Sequence, residues 1–126
     1  IHAYPSIWLE CNSKSLIEAM SAGALCVHPN YGGLADTAGQ LTAMYNWDSN
    51  PNTHANIFYQ HLNHAIKIVN EESTQNYLQF VKQYADNRFN WNKIATQWTA
   101  MLQGLSEEYR GKDISVSEML TFRTPG

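Results

Sequence analysis

The chain has 126 residues, of which 44% are hydrophobic and 12% aromatic. This length and composition predict one folded domain and exclude a disordered chain. Only 15% of the residues are charged and the net charge is -3, which excludes the basic surface of a typical nucleic-acid-binding protein, and no apolar run reaches the roughly 18 residues of a membrane span.

Three short segments predict β-strands. Residues 1–4 are apolar and stop at Pro5. Residues 24–28 form a continuous apolar run, which is typical of a strand buried on both faces of a sheet, and Pro29 and Asn30 are expected to end it. Residues 41–45 predict a third strand.

A helix is predicted between the first two strands. It covers residues 14–22, because Ser13 is a good N-cap and Gly23 is a residue at which helices commonly end. Two loops, residues 5–13 and 29–38, follow the first two strands and hold most of the unusual chemistry of the chain. A single helical turn is expected within the second loop.

The second half of the chain is predicted to be helical, after an exposed loop over residues 46–53. Helices are expected from Thr53 to about Asn70, over about 73–87, and from directly after Asn90, a good N-cap, to about Gly104. The side chains expected to face inward on the second of them are Tyr77, Phe80, Val81 and Tyr84. Residues 106–126 are polar and weakly patterned, and they are assigned to a C-terminal tail.

This order of elements favours an α/β fold, with a Rossmann-like parallel sheet flanked by helices and a helical C-terminal run. In such sheets ligands bind beyond the carboxyl ends of the strands, where residues 5–13 and 29–38 are expected to lie. The chain begins with apolar residues from Ile1 rather than with a polar terminus. We therefore expect it to be the C-terminal part of a longer protein, the alternative being a short chain whose first strand is held by a partner.

Two acids, Glu10 in the first loop and Glu18 on the following helix, can face one crevice. The start of that helix, at residues 13–15, has unpaired N–H groups and a partial positive charge, which suit a phosphate. Carboxylates suit sugar hydroxyls, which donate hydrogen bonds to charged acceptors. The combination favours a ligand with phosphate and sugar parts. The alternative is a capped helix with a surface acid near its start.

These residues also occur in a recognisable order within YPSIWLECNSKSLIEAMSAGALCVHPNYGGLADT. The pattern consists of Pro5-Ser6, Glu10, Glu18-Ala19-Met20, Ala22-Gly23, Val27 and Gly32-Gly33-Leu34-Ala35-Asp36-Thr37. In this order the segment resembles the donor-binding segment of glycosyltransferase family 4 and its GT-B relatives. Residues 88–98, RFNWNKIATQW, are similar to the closing Trp-containing helix of that family.

The resemblance implies a role for each matching residue. Glu10 would be catalytic, contacting the donor-sugar hydroxyls, and Glu18 would hold the ribose of the nucleotide. Cys11, Asn12 and Ser13 stand where many members have Gly-Phe-Gly, whose backbone N–H groups touch the sugar. The residues expected to offer backbone N–H groups to the diphosphate are Lys14 and Ser15. The lost glycines, together with Ala35 and Asp36 in place of the usual Pro and Glu, depart from the family pattern.

The resemblance further implies transfer of a sugar from a nucleotide-diphosphate donor to an acceptor, with retention of configuration and without a metal or another cofactor. Residues 1–105 would form part of the C-terminal donor-binding domain. The basic phosphate clamp and the acceptor-binding N-terminal domain would lie upstream, so the fragment alone is expected to be inactive. Two alternatives remain open: a non-catalytic α/β interaction module, and a GT-B nucleotide-sugar epimerase, against which the Glu-Ala-Met run and the closing Trp-containing helix argue.

Other reactive side chains favour structural roles. Two cysteines, Cys11 and Cys26, are too few for a disulfide framework, so a reducing, cytoplasmic setting is expected. His28 is expected to be a core histidine, the alternative being a residue that lines the crevice, and no metal site is expected. Three histidines at helical spacing are not expected to bind a metal, because metal ligands need a fixed geometry and supporting hydrogen bonds. They are His54, His61 and His64. Trp8 and Trp47 lie in predicted loops and are candidates for contact with a sugar face or with the missing domain.

Overall fold

The computed structural model describes residues 1–111 and confirms the α/β class. The strands β1 (His2–Ala3), β2 (Cys26–Asn30) and β3 (Ala43–Asn46) form a small parallel sheet in the order β1-β2-β3. The helices are α1 (Lys14–Ser21), α2 (Leu34–Ala38), α3 (Pro51–Ile68), α4 (Glu72–Arg88) and α5 (Trp91–Glu108). Because each strand is parallel to the next, a helix connects each pair, as in a Rossmann-like arrangement.

Helix α1 forms where the sequence predicts it. Leu16 and Met20, spaced four residues apart on one face, are fully buried. Gly23 follows the helix with a φ of +74°, and the Ala24 N–H donates to the Ala19 carbonyl at 2.9 Å. This pair of features is the Schellman end that a glycine favours, because glycine adopts positive φ at little cost.

The sheet is covered on both faces. Side chains alternate along a strand, so the neighbours Cys26 and Val27 of β2 enter separate core clusters. The cluster around Cys26 contains Leu16, Met20, Leu34, Ala38, Val81 and Ala85. The cluster around Val27 contains Leu25, Tyr45, Ala65 and Leu78. The burial of both faces confirms the interpretation of the apolar run in β2.

The prediction that Pro29 ends the second strand is wrong, because Pro29 lies within β2 and pairs with Tyr45. The Val27 carbonyl accepts the Tyr4 N–H at 2.9 Å, so the backbone groups of Val27 point toward β1. Backbone groups alternate sides along a strand, so the nitrogen of Pro29 faces the same side, past the end of β1. No hydrogen bond of the sheet is lost there, and proline is tolerated. The third strand likewise begins at Ala43, two residues later than predicted.

The loop predicted over residues 46–53 is too long, because α3 already begins at Pro51. The Asn50 side chain accepts hydrogen bonds from the Asn52 and Thr53 N–H groups at 3.0 and 3.2 Å. Proline at the first helical position loses nothing, since its missing N–H would have no partner inside the helix.

The inward face of α4 is also predicted only in part. Leu78, Val81 and Ala85 are buried, whereas Tyr77 is 47% and Phe80 is 53% exposed. The predicted inward face and the face that is buried both carry apolar side chains at helical spacing, so periodicity alone does not choose between them.

Helix α5 continues through Gly104 to Glu108, so the predicted end near Gly104 is wrong. One glycine costs a helix only about 1 kcal/mol, which is too little to end it. The helix opens a second compact unit at Trp91, the first being Ile1–Asn90. Of the predicted tail, residues 106–108 are helical and residues 112–126 lie outside the described part of the chain. None of the helices within residues 1–111 has the length and apolar character to cross a membrane.

Candidate functional site

The two loops predicted to form a site pack against each other after β1 and β2. The Gly33 N–H donates to the Glu10 carbonyl at 2.5 Å. The Thr37 hydroxyl lies 2.8 Å from the Asn12 side-chain oxygen, to which it donates. The first loop and the Gly-Gly turn are therefore one connected structure at the carboxyl edge of the sheet.

Both glycines of the turn are required by this close approach. Gly32 has a φ of +58°, and a Cβ there would lie 2.8 Å from the Glu10 carbonyl oxygen. A Cβ on Gly33 would lie 2.7 Å from the carbonyl carbon of Cys11. Only residues without a Cβ let the turn lie this close to the loop that carries Glu10.

The Glu10 carboxylate is half-buried and held by two hydroxyl groups. Tyr4, directly after β1, and Ser6 both donate to the same oxygen, Oε1, and the Ser6 bond is 3.1 Å long. Among residues 1–111, the hydrogen bonds to this carboxylate all go to Oε1. The second oxygen, Oε2, is therefore left with its lone pairs for another donor.

The first turn of α1 keeps its N–H groups free of a side-chain cap within the described residues. Ser13 occupies the N-cap position, with φ -113° and ψ 107°, as predicted. Its buried hydroxyl lies 3.2 Å from the Ser15 hydroxyl and does not cap the helix. The helix start therefore has the unpaired donors and partial positive charge that suit an anion.

Lys14 and Glu18 lie on the exposed side of α1. Their side chains form an ion pair at 3.5 Å and are 89% and 66% exposed, respectively. Such surface pairs contribute little to stability and open readily. The two predicted acids thus have different surroundings, since Glu10 is held by hydroxyl groups and Glu18 by a lysine.

A pair of stacked aromatic rings, Tyr31 and Trp47, lies at the same edge of the sheet. Each follows a neighbouring strand, and the ring centroids are 4.3 Å apart with an interplanar angle of 13°. Trp47 was predicted as an exposed loop residue and is half-buried, while Trp8 is 75% exposed. Tyr31 is not among the site residues predicted from the sequence, although an aromatic residue after each of two adjacent parallel strands is a usable signal.

The two cysteines differ in surroundings. Cys11 is exposed in the first loop, and Cys26 is buried in β2, where burial raises the pKa of its thiol to about 11. A thiol with this pKa stays protonated at neutral pH, which agrees with a packing role for Cys26.

The core role expected for His28 is confirmed. It is fully buried, its Nδ1 donates to the Pro29 carbonyl at 2.9 Å, and its Nε2 accepts from the Thr42 hydroxyl at 2.6 Å. Burial lowers the pKa of His28 below its ordinary value of 6.5, which favours the neutral ring.

We expect the chain to lose stability as the pH falls below about 6.5, because the unfolded chain then binds protons that folded His28 does not take up. Burial also lowers the pKa of His2, which acts in the same direction. The contribution of the two neutral histidines to the free energy of unfolding is present above about pH 6.5. It is lost as the pH falls toward their lower pKa values in the folded chain. Urea unfolding at about pH 7.5 and about pH 5 measures the difference, which the His28→Gln variant reduces.

The exposed His64 provides the control, since His64→Gln is expected to leave the difference between the two pH values unchanged. An equal difference in wild type and His28→Gln would contradict the assignment to His28.

A cavity of about 340 Å³ lies at the opposite, amino edge of the sheet. It is lined mostly by apolar side chains, among them Leu25, Leu78 and Val81. None of the site residues predicted from the sequence lines it, so the cavity is separate from the carboxyl-edge site.

The carboxyl edge thus brings together a fixed carboxylate, an uncapped helix start and a tight glycine turn. These groups are able to accept hydrogen bonds from hydroxyls and to donate hydrogen bonds to an anion. In comparisons with protein-family models, with curated proteins and with solved structures, the chain matches none.

Proposed function

We propose that this chain is the donor-binding part of a GT-B glycosyltransferase, which transfers a sugar from a nucleotide diphosphate to an acceptor. The observation that carries the proposal is the Glu10 carboxylate, fixed four residues before Lys14, at which the uncapped helix α1 begins. A sugar with hydroxyl donors next to a diphosphate anion is the ligand that matches both groups. The order of residues that resembles glycosyltransferase family 4 supports the same choice.

In this proposal each group has one task. The free oxygen of Glu10 accepts a hydrogen bond from a donor-sugar hydroxyl, and the N–H groups of Lys14 and Ser15 bind the diphosphate. The Glu18 side chain leaves its ion pair with Lys14 and accepts hydrogen bonds from the ribose hydroxyls. The bond between the anomeric carbon and the diphosphate oxygen breaks, and the diphosphate leaves with the electron pair. The acceptor oxygen bonds to that carbon, and its proton passes to the leaving diphosphate. The partial positive charge of the α1 start stabilises the leaving diphosphate.

Titration of the ¹⁵N-labelled chain with UDP-glucose and, separately, GDP-mannose tests the proposal. We expect backbone amide shifts in residues 10–18 and 31–37, with a dissociation constant below about 10 mM, that is, about -3 kcal/mol or stronger. Free glucose serves as the control for sugar without phosphate. Shifts confined to the cavity at the amino edge, or no shifts with either donor, would contradict the proposal.

A non-catalytic interaction module is the second candidate. Ile7, Trp8 and Leu9 are consecutive apolar residues and are 64%, 75% and 73% exposed. Exposed apolar residues in a row are typical of a surface that contacts another molecule. The same titration separates the candidates, because an interaction module shows no response to either donor.

A further inference from the structure

We propose that Tyr4 and Ser6 are positioning residues, which hold Glu10 so that only Oε2 faces the donor sugar. This inference rests on the function proposed above and adds the way in which the carboxylate is oriented. The two hydroxyl groups that reach Glu10 both donate to Oε1. A carboxylate oxygen has two lone pairs, so two donors saturate Oε1 and leave Oε2 as the acceptor for a sugar hydroxyl.

Tyr4 is itself anchored on three sides. Its N–H donates to the Val27 carbonyl at 2.9 Å, which continues the pairing of β1 with β2. Its ring stacks on His2 at a centroid distance of 5.4 Å and packs against the core cluster around Cys26. The phenol oxygen therefore has a fixed position relative to the sheet, and its hydrogen bond fixes the position of the Glu10 carboxylate.

The Ser6 hydroxyl is oriented as well. Ser6 is only 8% exposed, and its Oγ accepts the Trp8 N–H at 3.3 Å. Because Oγ accepts on that side, its own hydrogen is free to point at Glu10, 3.1 Å away. The serine thus acts as a directed donor rather than as a freely rotating hydroxyl.

The backbone of Glu10 is fixed at the same time. Its N–H donates to the Trp8 carbonyl at 3.0 Å, and its carbonyl accepts the Gly33 N–H. With main chain and side chain both held, binding a sugar costs Glu10 little conformational entropy. Loss of a positioning hydroxyl frees the carboxylate to rotate without removing its charge.

The test compares two ligands, UDP-glucose and UDP, on the full chain by NMR titration, with the GDP pair used if GDP-mannose is the tighter donor. Tyr4→Phe removes one hydroxyl and keeps the ring. We expect it to weaken binding of the sugar nucleotide about tenfold, the equivalent of one hydrogen bond, and to leave binding of UDP unchanged. Ser6→Ala is expected to show the same selective loss.

Tyr59→Phe is the matched control, since Tyr59 is exposed on α3 and its hydroxyl removal should affect neither ligand. If Tyr4→Phe and Ser6→Ala bind both ligands as wild type does, the inference is overturned and the proposed function stands. If both variants lose UDP as well as the sugar nucleotide, the hydroxyls have only a structural role, which also overturns the inference. Failure of the wild-type chain to bind either ligand overturns the proposed function itself.

Discussion

Glu10→Gln is expected to weaken binding of a nucleotide-diphosphate sugar by roughly 10- to 100-fold, while the fold is retained. The glutamine side chain keeps one oxygen, which still accepts from Tyr4 and Ser6 at the position of Oε1. Its NH₂ group then takes the place of Oε2 and cannot accept a sugar hydroxyl. A hydrogen bond to a charged group contributes about 1.5–3 kcal/mol, which corresponds to that range of affinity.

Isothermal titration calorimetry or NMR titration of the variant measures the change. Glu71→Gln is the control, because Glu71 is an exposed acid before α4 whose side chain makes no capping hydrogen bond. Equal affinity of Glu10→Gln and wild type would remove Glu10 from the site, whatever else binds there.

Gly33→Ala is expected to lower the free energy of unfolding by about 1–3 kcal/mol, the usual cost of forcing extra atoms into a closely packed position. The added Cβ would meet the Cys11 carbonyl carbon at 2.7 Å and the Glu10 carbonyl oxygen at 2.9 Å. Both are backbone atoms, so the whole first loop has to move and the hydrogen bond from Gly33 to Glu10 is lost. Urea unfolding measures the stability, and the titration with UDP-glucose measures the expected loss of binding.

Gly104→Ala separates this effect from the general effect of replacing glycine. Gly104 lies inside α5, and a Cβ there meets no atom within 4 Å. Alanine is the better helix former, so this change is expected to increase helix stability by about 0.5–1 kcal/mol. A Gly33→Ala variant as stable as wild type would show that the two loops do not approach each other as described.

The elements that were predicted well from the amino-acid sequence are those that local chemistry determines. Leu16, Met20 and Gly23 define α1 through their spacing and the special conformation of glycine. Errors occurred where a neighbouring element decides the outcome. Pro29 fits within β2 only because β1 has already ended beside it, and a local pattern contains no information about the length of a neighbouring strand.

The candidate site shows the same division. Ser13 at the N-cap position was predicted, because an N-cap depends on the helical residues that directly follow it. The partners of Glu10 were not, since Tyr4 reaches it only through the path of the intervening loop. The stack of Tyr31 on Trp47 joins residues that follow two different strands, so strand order had to be known first.

The hydrogen bond from Gly33 to the Glu10 carbonyl has a consequence for how a ligand is recognised. Any group that shifts the turn after β2 also displaces the acid that follows β1, so the two loops respond together. Their contributions to affinity are then energetically coupled, and substitutions in one loop alter the effect of substitutions in the other. Double-mutant cycles across the two loops would give that coupling as a free energy.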